Sequence, residues 1–451
     1  MKKIKILASI LLSLVSFSSL ALNLNDLQGD SKTTYSSPRG VQEVCVVPKK
    51  WPGGMYKKED PAKETTLCSY DFHRNVGICP KYTSTNPAIL LLEPTAQYPK
   101  EVIDASQCNY KAMDLNNEAK FKQSISCSYT PAILAYYHVS RALGGGGQVP
   151  VNVIRTMDIR IHEDLANKAV NHLRDSKDLI KTIWEQFART HQNPQNYPLL
   201  YDSTQTQVYG ALIDNIKKEE QYIEVSGTGS YDRRYERFMQ QKPFLRLTDA
   251  QSVSQSVGTS DFTKVAQIVL QMKDVSDMVI LDRILSQQDR IGNIHFKLFW
   301  YFVEPGSNTF SRKKSDAKIE NGKIIVPPAE SQIMAGKQAV LLKEMILKDN
   351  DCGVIKTNMM KEVGALEKVR HLSYSTYRHL LRFAQDLNSS AAKDFFKAEL
   401  LFSENDFAGI FKNTQEVRNI LVTKCQQGQL HFDVDLEDYV PGAKPPARSC
   451  L

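Results

Sequence analysis

The stretch ILDRILSQQDRIGNIH (280–295) sets an Asp, an Arg, a Gly and an Asn between a helix-like apolar run and a strand-like one. In a loop of that kind Asp289 and Asn293 can converge on a ligand. About sixty residues on, a second acidic turn, Asp349-Asn350-Asp351-Cys352-Gly353, closes another apolar run. Two carboxylate loops and an upstream strand lysine are the parts that phosphoryl transfer from ATP requires. One Asp orients the attacking hydroxyl, an Asn and a second Asp hold the metal, and the Lys neutralises phosphate oxygens. Mg²⁺ takes all-oxygen, partly hydrated coordination of this kind. Lys111, in NYKAM, is the candidate upstream lysine. The plainer account is that Asp and Asn in turns cap local backbone.

The elements that must position these groups are partly legible. MVILDRIL carries Met278, Leu281 and Leu285 at helical spacing, ahead of the Asp289 loop. IHFKLFWYF alternates, with Ile294, Phe296, Leu298, Trp300 and Phe302 on one face and His295 and Lys297 on the other, which predicts a strand. AVLLKEMILK reads as a second strand ending at the acidic turn, and Asn321-Gly322 as a hairpin turn between them. Upstream, Ala132 to Leu143 repeats at helical spacing and stops at Gly144–Gly147; Val149 to Ile154 reads as a strand, and residues 163–190 as helix. VYGALIDN (208–215) reads as a short connector between two lobes, and residues 362–426 as helical. Residues 22–90, rich in Ser, Thr, Lys, Pro and Gly, read as a loop-rich extension.

MKKIKILASILLSLVSFSSLA has the basic start, apolar core and small-x-small end of a secretory signal peptide, so the mature chain is expected to begin at Leu22. No later stretch is apolar enough to cross a bilayer as a helix. All eight cysteines follow the signal, an even number that fits up to four disulfides in an oxidising compartment, five of them between Cys45 and Cys127. The net charge of +7 is diffuse and gives no support to a nucleic-acid role. HEDLA at 162–166 lacks the second His of a zinc-protease helix, and neither a Walker-type loop nor a GxSxG elbow is present.

The succession YKAM … AYYHVSRALGG … VPVNVIR … LDRILSQQDRIGN … MILKDNDCG resembles the atypical kinase group. That group includes the phosphoinositide 3- and 4-kinases, the HipA-like kinases and the secretory-pathway kinases related to the Golgi casein kinase. The resemblance spans roughly residues 105–355 and lies in the order and spacing of the motifs. It implies an α+β, two-lobed protein-kinase-like fold, with ATP and Mg²⁺ or Mn²⁺ as cofactors. By it Lys111 matches the phosphate-contacting Lys, Asp289 the catalytic Asp, Asn293 a metal-binding Asn and Asp351 the second metal ligand, with Asp349 a rival for that role. Tyr209 to Asp214 would form the hinge against which adenine packs. The chain departs from the group's pattern in having no Gly in LLLEPTAQYPKE ahead of Lys111, and only Glu118 as a nearby acid to pair with the lysine.

The expected organisation is a signal peptide (1–21), a disulfide-stapled extension (22–90), a first lobe (91–213) and a second lobe with a helical tail (214–451). The expected function is that of an exported kinase-like enzyme phosphorylating a protein or lipid hydroxyl, in or on a host cell. Two alternatives stay open: a pseudokinase-type binding module, and a non-enzymatic, disulfide-stapled interaction protein.

Overall fold

The computed structural model describes residues 21–145 and 148–450, so all but the last residue of the expected signal peptide lies outside the described residues. The first lobe is built on an antiparallel sheet of seven strands: β1 (Ser31–Ser36), β2 (Gln42–Val47), β3 (Gly77–Pro80), β4 (Ala88–Leu92), β5 (Asn117–Gln123), β6 (Asn152–Asp158) and β7 (Gln207–Asp214). Their spatial order is β1-β2-β6-β7-β5-β4-β3. Helices α1 (Asp60–Leu67), α2 (Lys100–Ala105), α3 (Thr130–Ala142), α4 (Ile159–His172) and α5 (Leu179–Thr190) join and cover these strands. The continuous helix expected over 163–190 is therefore two helices, broken between Leu173 and Asp178.

Residues 22–90 are not a loop-rich extension, because they supply four strands of this sheet and α1. Local composition hid them; their partners lie far along the chain, as when Cys45 and Val46 pair with Arg155 and Ile154. VYGALIDN is likewise no connector but β7, paired on both sides by β5 and β6. Its Gly210 is required there: a Cβ would stand 2.1 Å from the carbonyl oxygen of Lys122 on the next strand.

The second lobe begins with β8 (Glu220–Gln221) and four short helices, α6 (Ile223–Ser226), α7 (Arg234–Met239), α8 (Lys242–Leu247) and α9 (Val253–Val257). They lead into α10 (Phe262–Ile284), whose start is capped by the Asp261 carboxylate on the Lys264 N–H. Strands β9 (Ile294–Val303), β10 (Phe310–Lys314) and β13 (Gln338–Leu347) then form a second sheet in the order β10-β9-β13. The expected Asn321-Gly322 hairpin is present between β11 (Lys318–Glu320) and β12 (Lys323–Ile325). β9 is a strand as expected, but its buried face changes midway: Ile294, Phe296 and Leu298 are buried, then Phe299, Tyr301 and Val303. Trp300 instead lies half-buried, its indole N–H donating to Glu330 at 2.8 Å on α11 (Pro328–Met334).

The remainder is helical: α12 (Met359–Glu362), α13 (Ala365–Lys368), α14 (Tyr374–Asp386), α15 (Ser390–Ala398) and α16 (Glu404–Gln426). The last three each open on a serine cap, at Ser373, Ser389 and Ser403. The architecture is thus mixed α+β and two-lobed, with a helical C-terminal region. One hydrophobic cluster runs through both lobes, from Leu134 and Ile154 to Leu281 and Phe396, so the lobes share a core. All eight cysteines are paired: Cys45–Cys68, Cys79–Cys108, Cys127–Cys352 and Cys425–Cys450. Among the described residues no helix is long and apolar enough to cross a membrane.

Candidate active site between the two lobes

β5 alternates, burying Ala119 and Phe121 on one face and turning Lys120 and Lys122 to the other. That second face meets the turn after β13. The Lys122 ammonium, 2% exposed, lies 2.8 Å from Asp351 Oδ2 and 3.3 Å from Asp349 Oδ1. Burial works against its charge, but Asp351 and Asp349 outweigh it and hold the ammonium above the usual lysine range. Asp349 is held well below the usual carboxylate range by Lys122, against burial, with Lys120, Lys81 and Lys348 adding to the effect. Asp349 also adopts a left-handed φ of 48°, which Asp tolerates in a tight turn. The cleft around these groups is narrow, with a cavity volume of about 30 Å³, and is lined also by Asn152, Ile213, Asp214, Lys348 and Asn350.

The Asp289 loop lies beside the acidic turn. Asp289 Oδ1 is 2.9 Å from the Arg234 guanidinium and accepts from the Tyr231 hydroxyl at 3.2 Å. Burial raises its proton affinity, Asp351 and Asp349 add to this, and Arg234 opposes it. Its neighbour Arg290 is wholly buried and grips Asp282 of α10, with Nε to Oδ2 at 2.9 Å and Nη2 to Oδ1 at 3.0 Å. The same guanidinium donates to the Asn350 side chain at 2.7 Å and the Lys348 carbonyl at 2.8 Å, while Tyr136 of α3 donates to Asp282 at 2.7 Å. One buried ion pair therefore fixes both acidic loops and α3 together.

Backbone bonds tighten the arrangement: Gln288 N–H donates to Cys352 O at 2.9 Å and Tyr129 N–H to Asp351 O at 2.9 Å. Cys352 is bonded to Cys127, just before α3, which explains a cysteine between the acid and Gly353. Gly353 is the small residue that this contact demands, since a Cβ there would meet the Leu285 carbonyl oxygen at 2.9 Å and the Tyr136 ring at 3.2 Å.

The structure brings Asp349 and Asp351 to one cleft, whose lining includes Asp214, paired with Lys63 at 3.0 Å, and sets Asp289 near enough to both acids for their charges to raise its proton affinity. It does not bring Lys111 there. Lys111 is exposed in the turn between α2 and β5, and the lysine at the carboxylates is Lys122. The apolar-charged alternation of NYKAM is too short to be a strand and runs into Asp114-Leu115-Asn116; AKFKQ, whose Lys122 lies eleven residues beyond Lys111, belongs to the strand. Tyr209 is buried within the sheet, its hydroxyl donating to Pro198 O at 3.2 Å, and does not line the cleft. Asn293 folds its side-chain N–H back onto the Asp289 carbonyl at 2.8 Å, closing its own loop. Glu118 pairs with Lys217, and α3 carries no acid, so among the described residues no helix glutamate partners Lys122.

Among the described residues no three His, Cys, Asp or Glu side chains form a ready-made metal cage. Asp351 Oδ1 is nevertheless buried without a hydrogen-bond partner, beside Asp349. That fits a divalent ion held by one or two carboxylates and completed by phosphates and water.

No protein-family model matches this chain, and no curated protein matches it. Two solved structures of the Golgi casein kinase are similar to it in fold. One, with Mn and ADP bound, is 12% identical, covering 81% of this chain and 76% of that chain with a TM-score of 0.42. The other is 12% identical, covering 90% of this chain and 87% of that chain with a TM-score of 0.43.

Proposed function

We propose that this chain is an exported phosphotransferase, moving the γ-phosphate of ATP to a hydroxyl of a protein or lipid acceptor with Mg²⁺ or Mn²⁺. The observation that carries the reading is the buried Lys122 ammonium spanning Asp351 and Asp349, with Asp289 near enough to feel both of their charges. In the reaction the acceptor oxygen bonds to the γ-phosphorus as the β–γ bridging P–O bond breaks and its electrons leave with ADP. The acceptor's proton goes to Asp289, whose raised proton affinity suits a base. Arg234 and Tyr231 fix that carboxylate in place. Lys122 sets positive charge against the phosphate oxygens, which is the larger part of such catalysis. Asp351 and Asp349 would hold the divalent ion, which supplies further neutralisation of phosphate charge when bound.

Four disulfides and the basic, apolar start of the chain support export, with residues 1–21 as the signal peptide. Action in or on a host cell would place the enzyme where ATP is available.

A second reading, nucleotide binding without turnover, is favoured by one observation: Arg234 lies 2.9 Å from the Asp289 oxygen that would take the proton. The test is to incubate the oxidised protein with γ-labelled ATP and Mg²⁺ or Mn²⁺, with protein and lipid fractions of a eukaryotic lysate, beside Asp289→Asn. Label transferred by the wild type and lost in Asp289→Asn supports the phosphotransferase. Nucleotide binding with no transfer by either protein would move the reading to the binding module.

A further inference from the structure

Lys122 and Lys348 are each neutralised, by Asp351 and Asp349 and by Glu219 respectively. Two further lysines beside them are not. Among the described residues neither the Lys81 nor the Lys120 ammonium has a hydrogen bond or ion pair, although both are only partly exposed. Their placement follows from strand register. The Lys81 N–H donates to Ala88 O at 2.9 Å, extending the β3–β4 ladder by one residue, and Ala88 is in turn paired with Lys122 on β5. Lys81, Ala88 and Lys122 therefore form one row across three strands, with their side chains on one face. In that row Ala88, a single methyl group, stands between the two lysines. Lys120, two residues along β5, shares that face, and it lines the same cleft as Lys122 and Asp349. The turn that follows Lys81, YTSTNP, has no Gly, and its Asn86 side chain reaches Asp351 at 3.3 Å.

A glycine loop grips phosphates with backbone N–H groups. This turn has no such loop, and two unpartnered ammonium groups stand at its base instead. We propose that Lys81 and Lys120, with Lys122, form a side-chain cradle for the terminal phosphates of a nucleoside triphosphate. This rests on the phosphotransferase reading and assigns the chain's own means of holding the polyphosphate. The cost of the arrangement is visible in the free protein: burial and the neighbouring lysines push the Lys120 ammonium down to about 7, against the pull of Asp349.

The test is calorimetric titration of ATP, ADP, AMP and inorganic tripolyphosphate, in the presence of Mg²⁺, into the oxidised wild type, Lys81→Met, Lys120→Met and Lys120→Arg. A charge-assisted hydrogen bond contributes about 1.5–3 kcal/mol, so each Met variant should weaken ATP and tripolyphosphate by roughly tenfold or more while leaving AMP within about twofold. Lys120→Arg should retain most of the ATP affinity. Melting temperatures of the Met variants should not fall, because no ion pair is lost. ATP binding that is unchanged, or ATP and AMP weakened in parallel, would overturn the cradle. If the wild type bound tripolyphosphate through Lys81 and Lys120 but no nucleotide, the cradle would stand and the ATP reading would fall. If it bound neither, the cradle would fall too.

Discussion

Replacing Asp282 by Asn strikes the point where the two acidic loops are held together. Arg290 is 0% exposed, and among the described residues Asp282 is its only anionic partner, through three N···O contacts of 2.9–3.2 Å. Asn keeps the shape and an acceptor but removes the charge, leaving a guanidinium in the interior with neutral partners alone: the new amide oxygen, the Lys348 carbonyl, the Asn350 oxygen and the Tyr136 ring. Breaking a buried pair in this way costs about 3–5 kcal/mol, most of it the cost of the stranded charge. With an unfolding entropy of about 2.1 cal/mol/K per residue over roughly 430 residues, that is a fall of about 3–6 °C in Tm. Thermal unfolding by calorimetry reads this directly. Hydrogen exchange should show the amides of residues 348–353 opening faster, since Arg290 holds that turn. Removing both charges, as Asp282→Leu with Arg290→Met, should cost less than Asp282→Asn alone. An Asp282→Asn protein melting within about 1 °C of wild type, or a double variant less stable than the single one, would refute the assignment of this pair as the organising contact.

Three further outcomes are expected. Cys127→Ser with Cys352→Ser opens a link of 225 residues, and the chain-entropy model puts the loss near 5 kcal/mol, to be read by denaturant unfolding of oxidised protein. Gly353→Ala should destabilise by about 1–3 kcal/mol in the same assay, because the added Cβ meets the Leu285 carbonyl oxygen at 2.9 Å and backbone must shift. The pH profile of kcat/KM should fall on its acid side as Asp289 is protonated, with a midpoint above the ordinary aspartate value, because burial and the charges of Asp351 and Asp349 raise its proton affinity. Neutralising one of those charges in Asp349→Asn should move that limb to lower pH in any residual activity.

What sequence could show of this protein followed locality. Asp289, Asp349 and Asp351 were legible because each ends a long periodic element, α10 or β13, whose pattern reads without its partners. The lysine was misplaced because NYKAM and AKFKQ both alternate over a few residues, and only pairing with β4 and β7 makes the second a strand. The sheet hidden in residues 22–90 escaped for the same reason: β1 to β4 are short and depend on partners such as Arg155 and Lys122 far along the chain. VYGALIDN reads as a short connector, whereas its Gly210 is what lets β7 approach β5. Asp282 gave no sign of its role. It lies in an apolar helix beside a second Arg, and its partner, Arg290, sits in the loop beyond that helix.

The central claim is that Lys122, Asp349 and Asp351 meet at one metal–nucleotide site. Anomalous scattering from crystals of the oxidised protein grown with Mn²⁺ and ADP tests it most directly. A manganese peak is expected at the Asp349 and Asp351 carboxylates, with the phosphates on the face of β5 that carries Lys120 and Lys122. Nucleotide density elsewhere, or a cleft in which Lys122 still bridges both carboxylates with no metal present at saturating Mn²⁺ and ADP, would contradict it.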